Sequence, residues 1–555
     1  MRNGFRFSLG LAWLLLAASL PSAASAGAGS PVTVYESATT GTASRSEAAS
    51  TPALGTGLQA SEPSRGVRPI PRAPAPAQPA GPAPIGPPQA SSAALLGTSS
   101  ALLESFNGVS SRDSAVTNFG AQFEPPDPGM CVGNGFVVEM VNSAYTVYRP
   151  NGTVVTGPFN INGPFGEGLA EFTSDPRCHY DAATHTWFAI ILFINRESTA
   201  SSLDIAVNTS GDPTKLWTDY KINTTDLGGK TGPKHAGCPC FGDQPLLGID
   251  AYNLYVSTNN FSILGPQFNG AQIFAIAKKD LVSLAPQPHY ALFDNLNIGG
   301  APAATVQPAL SSGTPAAEFF LNSIDPNETF DQRMGVWAMT NRAVVATGGT
   351  PQLSSVVVPT EAFGVPPQAE QKGTSSLLNP GDDRMQQVQF IGGSVWGALD
   401  TALTIPGDPV KRAGAAWFQV QPALGAGAIT SAHIRRQGYV ALTGSYLLYP
   451  ALQASAKGGA AMVMTLSSSK RFPSAAFSTL EPGASSFGPV EIGAAGSTNY
   501  DPGAGRWGDY SWAVLDPAGK SVWMATEYMP PKPSQTTDGR RDWGTRVLQV
   551  GLPGG

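Results

Sequence analysis

The sequence predicts an all-β fold for most of the chain, and three observations lead to this prediction. Charged residues make up only 13% of the 555 residues, which is few for a protein covered by long surface helices. The 63 glycines and 49 prolines suit many tight turns between short strands. From about residue 127 onward, one pattern of turn and strand recurs seven times. The predicted strands are therefore short and repeated along the chain.

The N-terminus has the features of a signal peptide. Arg2 and Arg6 precede an apolar run, residues 9–20, that is too short to span a bilayer. A small-residue Ala-x-Ala site ends at Ala26. We therefore expect residues 1–26 to be removed, and the protein to be secreted or held at the cell surface or in the periplasm.

Residues 27–105 are predicted to form a disordered linker. This segment is rich in Ala, Pro, Ser, Gly and Thr and contains few large apolar residues. Such a composition cannot bury enough apolar surface to offset the loss of chain entropy on folding. We expect the linker to act as a stalk and the folded domain to comprise residues 106–555.

Each copy of the repeat begins at a turn residue and reaches a bulky apolar residue in the following strand. In the clear copies these two residues lie 12 to 14 positions apart, as Asp175 and Trp187 do. That spacing fits two short antiparallel strands joined by a tight turn. The clear copies begin at Asp175, Asp243, Asp383 and Asp509, and the weaker copies begin at Asp127, Gln307 and Tyr449.

The repeat indicates a β-propeller. A third apolar strand often follows the first two, as in residues 203–207 and 335–339. A unit of roughly 50 to 75 residues with three or four strands is one propeller blade. The sequence thus predicts a single propeller of about seven blades, closed by residues 543–550 or by residues 118–123. The alternative is a pair of β-sandwiches, which would not require one motif to recur so regularly.

Two short segments carry a family resemblance. The segments Cys-Phe-Gly-Asp-Gln-Pro at 240–245 and Arg-Trp-Gly-Asp-Tyr-Ser at 506–511 resemble motifs of secreted bacterial β-propeller proteins. The resemblance covers roughly residues 118–550. The Asp-Pro openings of the repeats are also similar to blade starts of propeller glycosidases such as arabinanases. The Asp-box and the complete arginine triad of sialidases do not occur in clean form, and a shared fold does not assign an activity.

The repeated aspartates are the main candidate binding residues. If each begins the innermost strand of its blade, they encircle one mouth of a central channel. Like charges that share a cavity repel, so we expect some to be protonated, paired with arginine or bound to a metal. A calcium ion at the channel mouth is the candidate cofactor. The predicted ligand-binding residues are Asp127, His179, Asp383, Arg384, Arg506 and Asp509.

Asp175, Asp243 and Glu527 are the candidate catalytic residues. A pair of carboxyl groups, one acid and one nucleophile, can cleave a glycosidic bond. The alternative role for the repeated aspartates is structural, because each can cap its strand through nearby backbone N–H groups. Catalysis requires asymmetry, so Glu527 and His179, which depart from the repeat, are worth testing.

Four cysteines in an exported protein predict two disulfides. Cys131 and Cys178 follow the aspartates of successive repeats, whereas Cys238 and Cys240 are separated by one residue. Three pairings are possible. The alternative is a metal site, because His235, Cys238 and Cys240 have compact ligand spacing.

Two classes of function remain open at this stage. The first is an enzyme acting on glycans, either a glycoside hydrolase or a polysaccharide lyase. The second is a non-catalytic propeller that binds a polysaccharide or a protein. The net charge of −6 disfavours a nucleic-acid partner. The expected partner is an extracellular glycan or a cell-surface protein. We also expect a monomer without a membrane span after signal cleavage.

Overall fold

The computed structural model describes residues 32–35, 38–45, 86–90, 94–97, 101–169, 171–228, 233–326, 330–501, 506–532 and 542–555. The predicted signal peptide, residues 1–26, lies outside these ranges. Within them the chain consists mainly of β-strands. None of the helices described is long and apolar enough to cross a membrane.

Short strands form inside the segment for which the sequence predicts disorder. The strands before the first repeat are β1 (Thr33–Tyr35), β2 (Thr39–Thr42), β3 (Ser44–Arg45), β4 (Leu96–Gly97) and β5 (Leu102–Ser110). Helix α1 (Ser111–Thr117) follows directly, and a capping box between Ser110 and Asp113 fixes its start. Because β5 begins at Leu102, the domain boundary predicted at residue 106 falls inside a strand.

The other long strands assemble, in chain order, into seven antiparallel groups. Group 1 comprises β6 (Gly129–Gly133), β7 (Phe136–Met140), β8 (Ala144–Tyr148) and β9 (Val154–Asn160). Group 2 comprises β10 (Phe172–Asp181), β11 (Thr186–Ile194), β12 (Ser201–Asn208) and β13 (Thr218–Asn223). Group 3 comprises β14 (Cys240–Ile249), β15 (Asn253–Ser262), β16 (Phe268–Ala277) and β17 (His289–Phe293). Helix α2 (Lys278–Val282) precedes β17, and a small hairpin of β18 (Asn297–Ile298) and β19 (Ala301–Pro302) follows it.

The second half of the chain supplies the remaining groups. Group 4 comprises β20 (Gln307–Ser311), β21 (Glu318–Ser323), β22 (Asp331–Thr340) and β23 (Gln352–Phe363), and group 5 comprises β24 (Met385–Ile391), β25 (Ser394–Ile405), β26 (Asp408–Gly425) and β27 (Ala428–Val440). Group 6 comprises β28 (Tyr446–Ala454), β29 (Ala460–Ser468), β30 (Arg471–Leu480) and β31 (Val490–Ala494). Group 7 comprises β32 (Trp512–Leu515), β33 (Ser521–Tyr528) and β34 (Gly544–Gly551) together with β5. Two 3-10 turns occur at Gly163–Phe165 and Arg342–Thr347.

The first strands of the groups contact one another in a closed circuit. The order around the circuit is β6, β10, β14, β20, β24, β28, β32 and back to β6. Parallel pairing joins β14 to β20 and β20 to β24, which merges three groups into one 14-stranded sheet. This circuit of antiparallel groups around an axis is the architecture of a β-propeller.

The hydrophobic core lies between neighbouring groups. One cluster joins Met130 of group 1, Phe188 of group 2 and Leu247 of group 3, and all three side chains are buried. In β11 every residue but one is buried, as expected for a strand covered on both faces. Because burying a large apolar side chain contributes about 1.5–3 kcal/mol, packing between groups is the main stabilising contribution.

The N-terminal strands pair with the outer edges of the groups. β1, β2 and β3 run antiparallel to β23, β17 and β13, and β4 runs parallel to β31. β5 pairs with β34 and completes group 7, so strands from both ends of the described chain close the ring. The predicted closing segment 543–550 supplies β34, whereas residues 118–123 form no strand. Edge pairing uses backbone N–H and C=O groups, so a segment poor in apolar residues can provide it.

Candidate functional site

A two-residue irregularity marks the start of several first strands. At each point two residues face a single residue of the partner strand, and these pairs are Asp175–Pro176 in β10, Gln244–Pro245 in β14, Gln386–Gln387 in β24 and Tyr449–Pro450 in β28. Asp175, Gln244 and Tyr449 have left-handed backbone conformations, with φ of 59°, 48° and 54°. Asp127, which also precedes a proline, has φ of 51°. These irregularities turn side chains toward the end of the channel where the strands begin, which we call the mouth.

Carboxylates from different groups meet at the mouth. One oxygen from each of Asp127, Asp175 and Asp509 lies within 4.8 Å of the others. Asp243 is close enough to act electrostatically on Asp175, and Glu527 lies against Asp127 and Asp509. We call these five residues the acid cluster. Asp127, Asp175 and Glu527 are almost fully buried, whereas Asp243 and Asp509 are half-buried and form its more open side.

Burial and mutual repulsion favour the protonated form of the inner acids. Burial, reinforced by Asp509, raises the pKa of Asp127 to about 8. Burial also raises the pKa of Asp175 well above its usual value, and the charges of Asp127, Asp243 and Asp509 add to this effect. Burial likewise raises the pKa of Glu527 well above its usual value, and the charges of Asp127 and Asp509 raise it further. The inner part of the cluster therefore holds carboxyl groups that can carry protons near neutral pH.

Arginines supply the balancing positive charge. Arg506 forms an ion pair with Asp509. The guanidinium of Arg177 is buried over the ring of Tyr510, 3.1 Å from its centroid, and acts electrostatically on Asp175. Because these cations come from groups 2 and 7, they also connect the groups that carry the acids.

Side chains on or just after second strands bond the backbone at the start of the next group. The Asn142 side-chain oxygen accepts a hydrogen bond of 2.7 Å from the Asp175 N–H, and its amide donates to Asp127 at 2.8 Å. Asn259 accepts in the same way from the Thr305 N–H at 2.8 Å. We call this contact the inter-group clasp. It was not anticipated from the sequence, because an asparagine at the end of a second strand carries no distinctive motif.

Glu527 occupies the corresponding position in group 7. It lies on β33, it is almost fully buried, and neither of its carboxylate oxygens has a hydrogen-bond partner. Gly508 approaches the same carboxyl group so closely that a Cβ atom there would collide with it. Glu527 is thus a buried acid packed closely against Gly508, and the catalytic role predicted for it remains a hypothesis.

Asp383 does not join the acid cluster. It is fully buried, and neither of its carboxylate oxygens has a hydrogen-bond partner. Burial and the neighbouring Asp382 raise its pKa well above the usual range. The physical reason for its separate position is register, since the irregularity in β24 lies at Gln386–Gln387, three residues beyond Asp383. Gln386 therefore reaches the mouth instead, where its amide donates to the Asp509 carbonyl at 3.3 Å.

Arg384 pairs with Asp382 rather than with the predicted Asp383. Its Nε and Nη2 atoms each donate to a different Asp382 oxygen at 2.7 Å. Its remaining Nη1 donates to the Gln244 side chain. Arg384 thus links groups 3 and 5 beside the acid cluster.

His179 lies away from the acid cluster. It is on β10, four residues beyond Asp175, near the ion pair in which Lys278 contacts Asp181 at 3.0 Å. Burial lowers the pKa of His179 to about 4, and Lys278 acts in the same direction. His179 is therefore neutral across the physiological range and does not contact the candidate catalytic residues.

The acid cluster fits a resident calcium ion poorly. Both Asp127 oxygens already accept protein hydrogen bonds, from Asn142 and from the Asp509 N–H, and Asp509 is paired with Arg506. Calcium takes roughly six to eight oxygen ligands. Asp127 and Asp509 are thus satisfied by protein donors, and the raised pKa values of the inner acids favour protons there rather than a cation.

The four cysteines form two disulfides. Cys131 is bonded to Cys178, which joins β6 of group 1 to β10 of group 2. Cys238 is bonded to Cys240. The disulfide prediction is confirmed. The alternative metal site at His235 is not formed, because its cysteines are oxidised and the His235 Nδ1 atom bonds Asp226 at 2.7 Å.

Comparison with solved structures finds distant likenesses of fold. An α-L-arabinanase of Penicillium chrysogenum, complexed with arabinobiose, is 9% identical, with a TM-score of 0.34 over 81% of this chain and 98% of its own. The Trypanosoma rangeli sialidase in complex with sialic acid is 8% identical, with a TM-score of 0.35 over 76% and 59%. Drosophila Plexin A in complex with Semaphorin 1b is 8% identical, with a TM-score of 0.34 over 84% and 88%.

No protein-family model and no curated protein sequence matches the chain. Propeller glycosidases are thus among the folds that this chain resembles at a distance.

Proposed function

We propose that this chain is an exported β-propeller of seven blades that hydrolyses extracellular glycans at the acid cluster. The closed circuit of first strands supports the blade count, with each antiparallel group as one blade. The apolar run and the Ala-x-Ala site near the N-terminus support export, and so do two disulfides, which persist in oxidising compartments.

The observation that carries the proposal is the convergence of carboxyl groups from separate blades. Asp127, Asp175 and Asp509 come from blades 1, 2 and 7, and one oxygen of each lies within 4.8 Å of the others. Glycoside hydrolysis requires a protonated carboxyl group beside an ionised one, at a spacing of about 5 Å or more. A cluster in which inner acids keep protons and outer acids face solvent provides both forms.

The site residues have distinct roles in this proposal. Asp175, whose pKa is raised by burial and by the neighbouring acids, donates a proton to the leaving oxygen. Asp243, on the more open side, acts as the second carboxylate, either as nucleophile or as base for water. Asn142 holds the Asp175 backbone and the Asp127 side chain.

A polysaccharide screen with matched variants tests this proposal. Asp175→Asn and Asp243→Asn should each lower turnover by roughly a hundredfold or more, since general acid catalysis alone contributes 10²–10⁴-fold. Asp383→Asn is the control, because it alters a buried acid that lies just before β24 and outside the cluster. Products with an unsaturated sugar end would assign a lyase instead. Equal activity of Asp175→Asn, Asp243→Asn and wild type would contradict the proposal.

A second candidate function is glycan or protein binding without catalysis. The observation in its favour is the pairing of acids with arginines, since Arg506 neutralises Asp509 and Arg177 covers the inner wall. Affinity electrophoresis in polysaccharide gels separates the two candidates. Retarded migration of wild type, without product from any glycan tested, would support binding.

A further inference from the structure

We propose that the Cys238–Cys240 disulfide is a thiol–disulfide exchange site for an external dithiol. Cys238 lies in the connection between β13 and β14, and Cys240 is the first residue of β14, three residues before Asp243. The two cysteines are separated by one residue and their Cα atoms are 4.4 Å apart. This bridge therefore closes a very small loop and joins no distant elements, so restraint of the unfolded chain gives it little structural value.

The other disulfide has the opposite character. Cys131 and Cys178 are 47 residues apart in sequence, both are fully buried, and they join neighbouring groups. A long loop and complete burial are typical of a structural bridge. The same molecule thus contains an internal standard against which the reactivity of Cys238–Cys240 can be judged.

Access to the two sulfur atoms is unequal. Cys238 is half-buried, whereas Cys240 is fully buried at the start of β14. An incoming thiolate must reach the sulfur in line with the bond that breaks, so Cys238 is the sulfur that can be attacked. Cys240 is then the leaving thiolate.

The polar groups around the disulfide favour Cys240, rather than Cys238, as the leaving thiolate. The Asn269 amide lies 3.6 Å from the Cys240 sulfur and donates to it, which stabilises negative charge there. The Asp226 Oδ2 atom lies 3.5 Å from the Cys238 sulfur and would repel a thiolate at that position. Asp226 is fixed by the His235 backbone N–H at 2.9 Å and ring Nδ1 at 2.7 Å.

The reaction balances with a dithiol as the reductant. The first substrate thiolate forms a bond to the Cys238 sulfur, and the electron pair of the broken disulfide moves to Cys240. The second substrate thiolate then attacks the substrate sulfur of the mixed disulfide and releases Cys238. The substrate is oxidised by two electrons, and its two protons end on Cys238 and Cys240.

A differential reduction experiment tests the site in the folded full-length protein. Dithiothreitol at equimolar concentration is the probe, and alkylation followed by mass spectrometry identifies the thiols that form. Cys238 and Cys240 should be labelled at least tenfold faster than Cys131 and Cys178. Equal rates, or labelling of Cys238 and Cys240 only after addition of denaturant, would overturn the proposal.

Glutathione and one pair of variants test the direction of exchange. Reduced glutathione added to the folded wild type and quenched with acid should be found bonded to Cys238, and glutathione bonded to Cys240 would refute the assignment. Asn269→Leu should slow reduction by dithiothreitol roughly three- to tenfold, the effect of one hydrogen bond. Asn151→Leu, at an exposed asparagine between β8 and β9 whose side chain bonds only the nearby Thr153 N–H, is the control. Equal slowing by both substitutions would contradict the role of Asn269.

Discussion

Asn142 holds two acids of the candidate site at once. Its side-chain oxygen accepts from the Asp175 N–H, and its amide donates to an Asp127 oxygen. Gln389 makes a comparable contact between groups 5 and 6, because its side-chain oxygen accepts from the Ala454 N–H at 2.8 Å, five residues beyond Tyr449 on β28. A comparison of the two therefore separates the structural value of a clasp from its effect on the site.

Alanine at either clasp should lower the free energy of unfolding by about 1–3 kcal/mol, because a buried backbone N–H loses its partner. Urea denaturation measures this loss. Only Asn142→Ala should also lower glycan turnover, since only that clasp positions Asp127 and Asp175. Comparable activity loss in Gln389→Ala would show that the effect is general destabilisation.

His179 provides a separate prediction about pH. Its pKa is lowered by burial to about 4 in the folded protein, whereas its ordinary value is 6.5. A lowered pKa contributes stability that is present above pH 6.5 and is lost as the pH falls through about 4. His179→Gln should therefore flatten the fall in thermal midpoint between pH 6.5 and pH 4. Proton NMR of the wild-type His179 ring should show a midpoint near 4, and a midpoint near 6.5 would contradict its burial.

At the scale of elements, β1, β2 and β3 cover the outer edges of three groups. β2 pairs with β17 over four residue positions, and the Ala43 N–H donates to the Pro288 carbonyl at 2.8 Å. Ala43 is almost fully buried although its neighbours are exposed. These contacts replace water at edge strands that would otherwise present unpaired backbone groups.

Deletion of residues 32–45 should expose those edges without unfolding the ring. Amide hydrogens of β17 and β13 should exchange faster in the deletion variant, because they lose the strands that cover them. β9 is the internal control, since no N-terminal strand pairs with it among the described residues. Unchanged exchange in β17 would mean that β2 does not pair with it in solution.

At the scale of the whole molecule, the repeat predicts the fold because each copy forms the same pair of antiparallel strands. A turn residue, a strand and a bulky residue recur with nearly constant spacing, and packing around an axis is the arrangement that covers every copy. The convergence of Asp127, Asp175 and Asp509 follows from that arrangement, since each lies at the start of a first strand.

The parts that sequence could not predict depend on register and on backbone pairing. A three-residue offset at Gln386–Gln387 removes Asp383 from the mouth, and a motif alignment does not reveal such an offset. Gln244, rather than Asp243, occupies the position that matches Asp175. β1 and β2 were missed because edge pairing depends on an available partner strand, which the composition of residues 27–105 does not show.

The central claim is that acids distant in sequence share one buried cluster. Carbon-13 NMR of the Asp127 carboxyl group tests it most directly. Wild type should titrate near pH 8, since burial and Asp509 raise the pKa of Asp127, and Asp509→Asn should shift the midpoint clearly downward. A midpoint near 4 in wild type, or no change in Asp509→Asn, would contradict the arrangement.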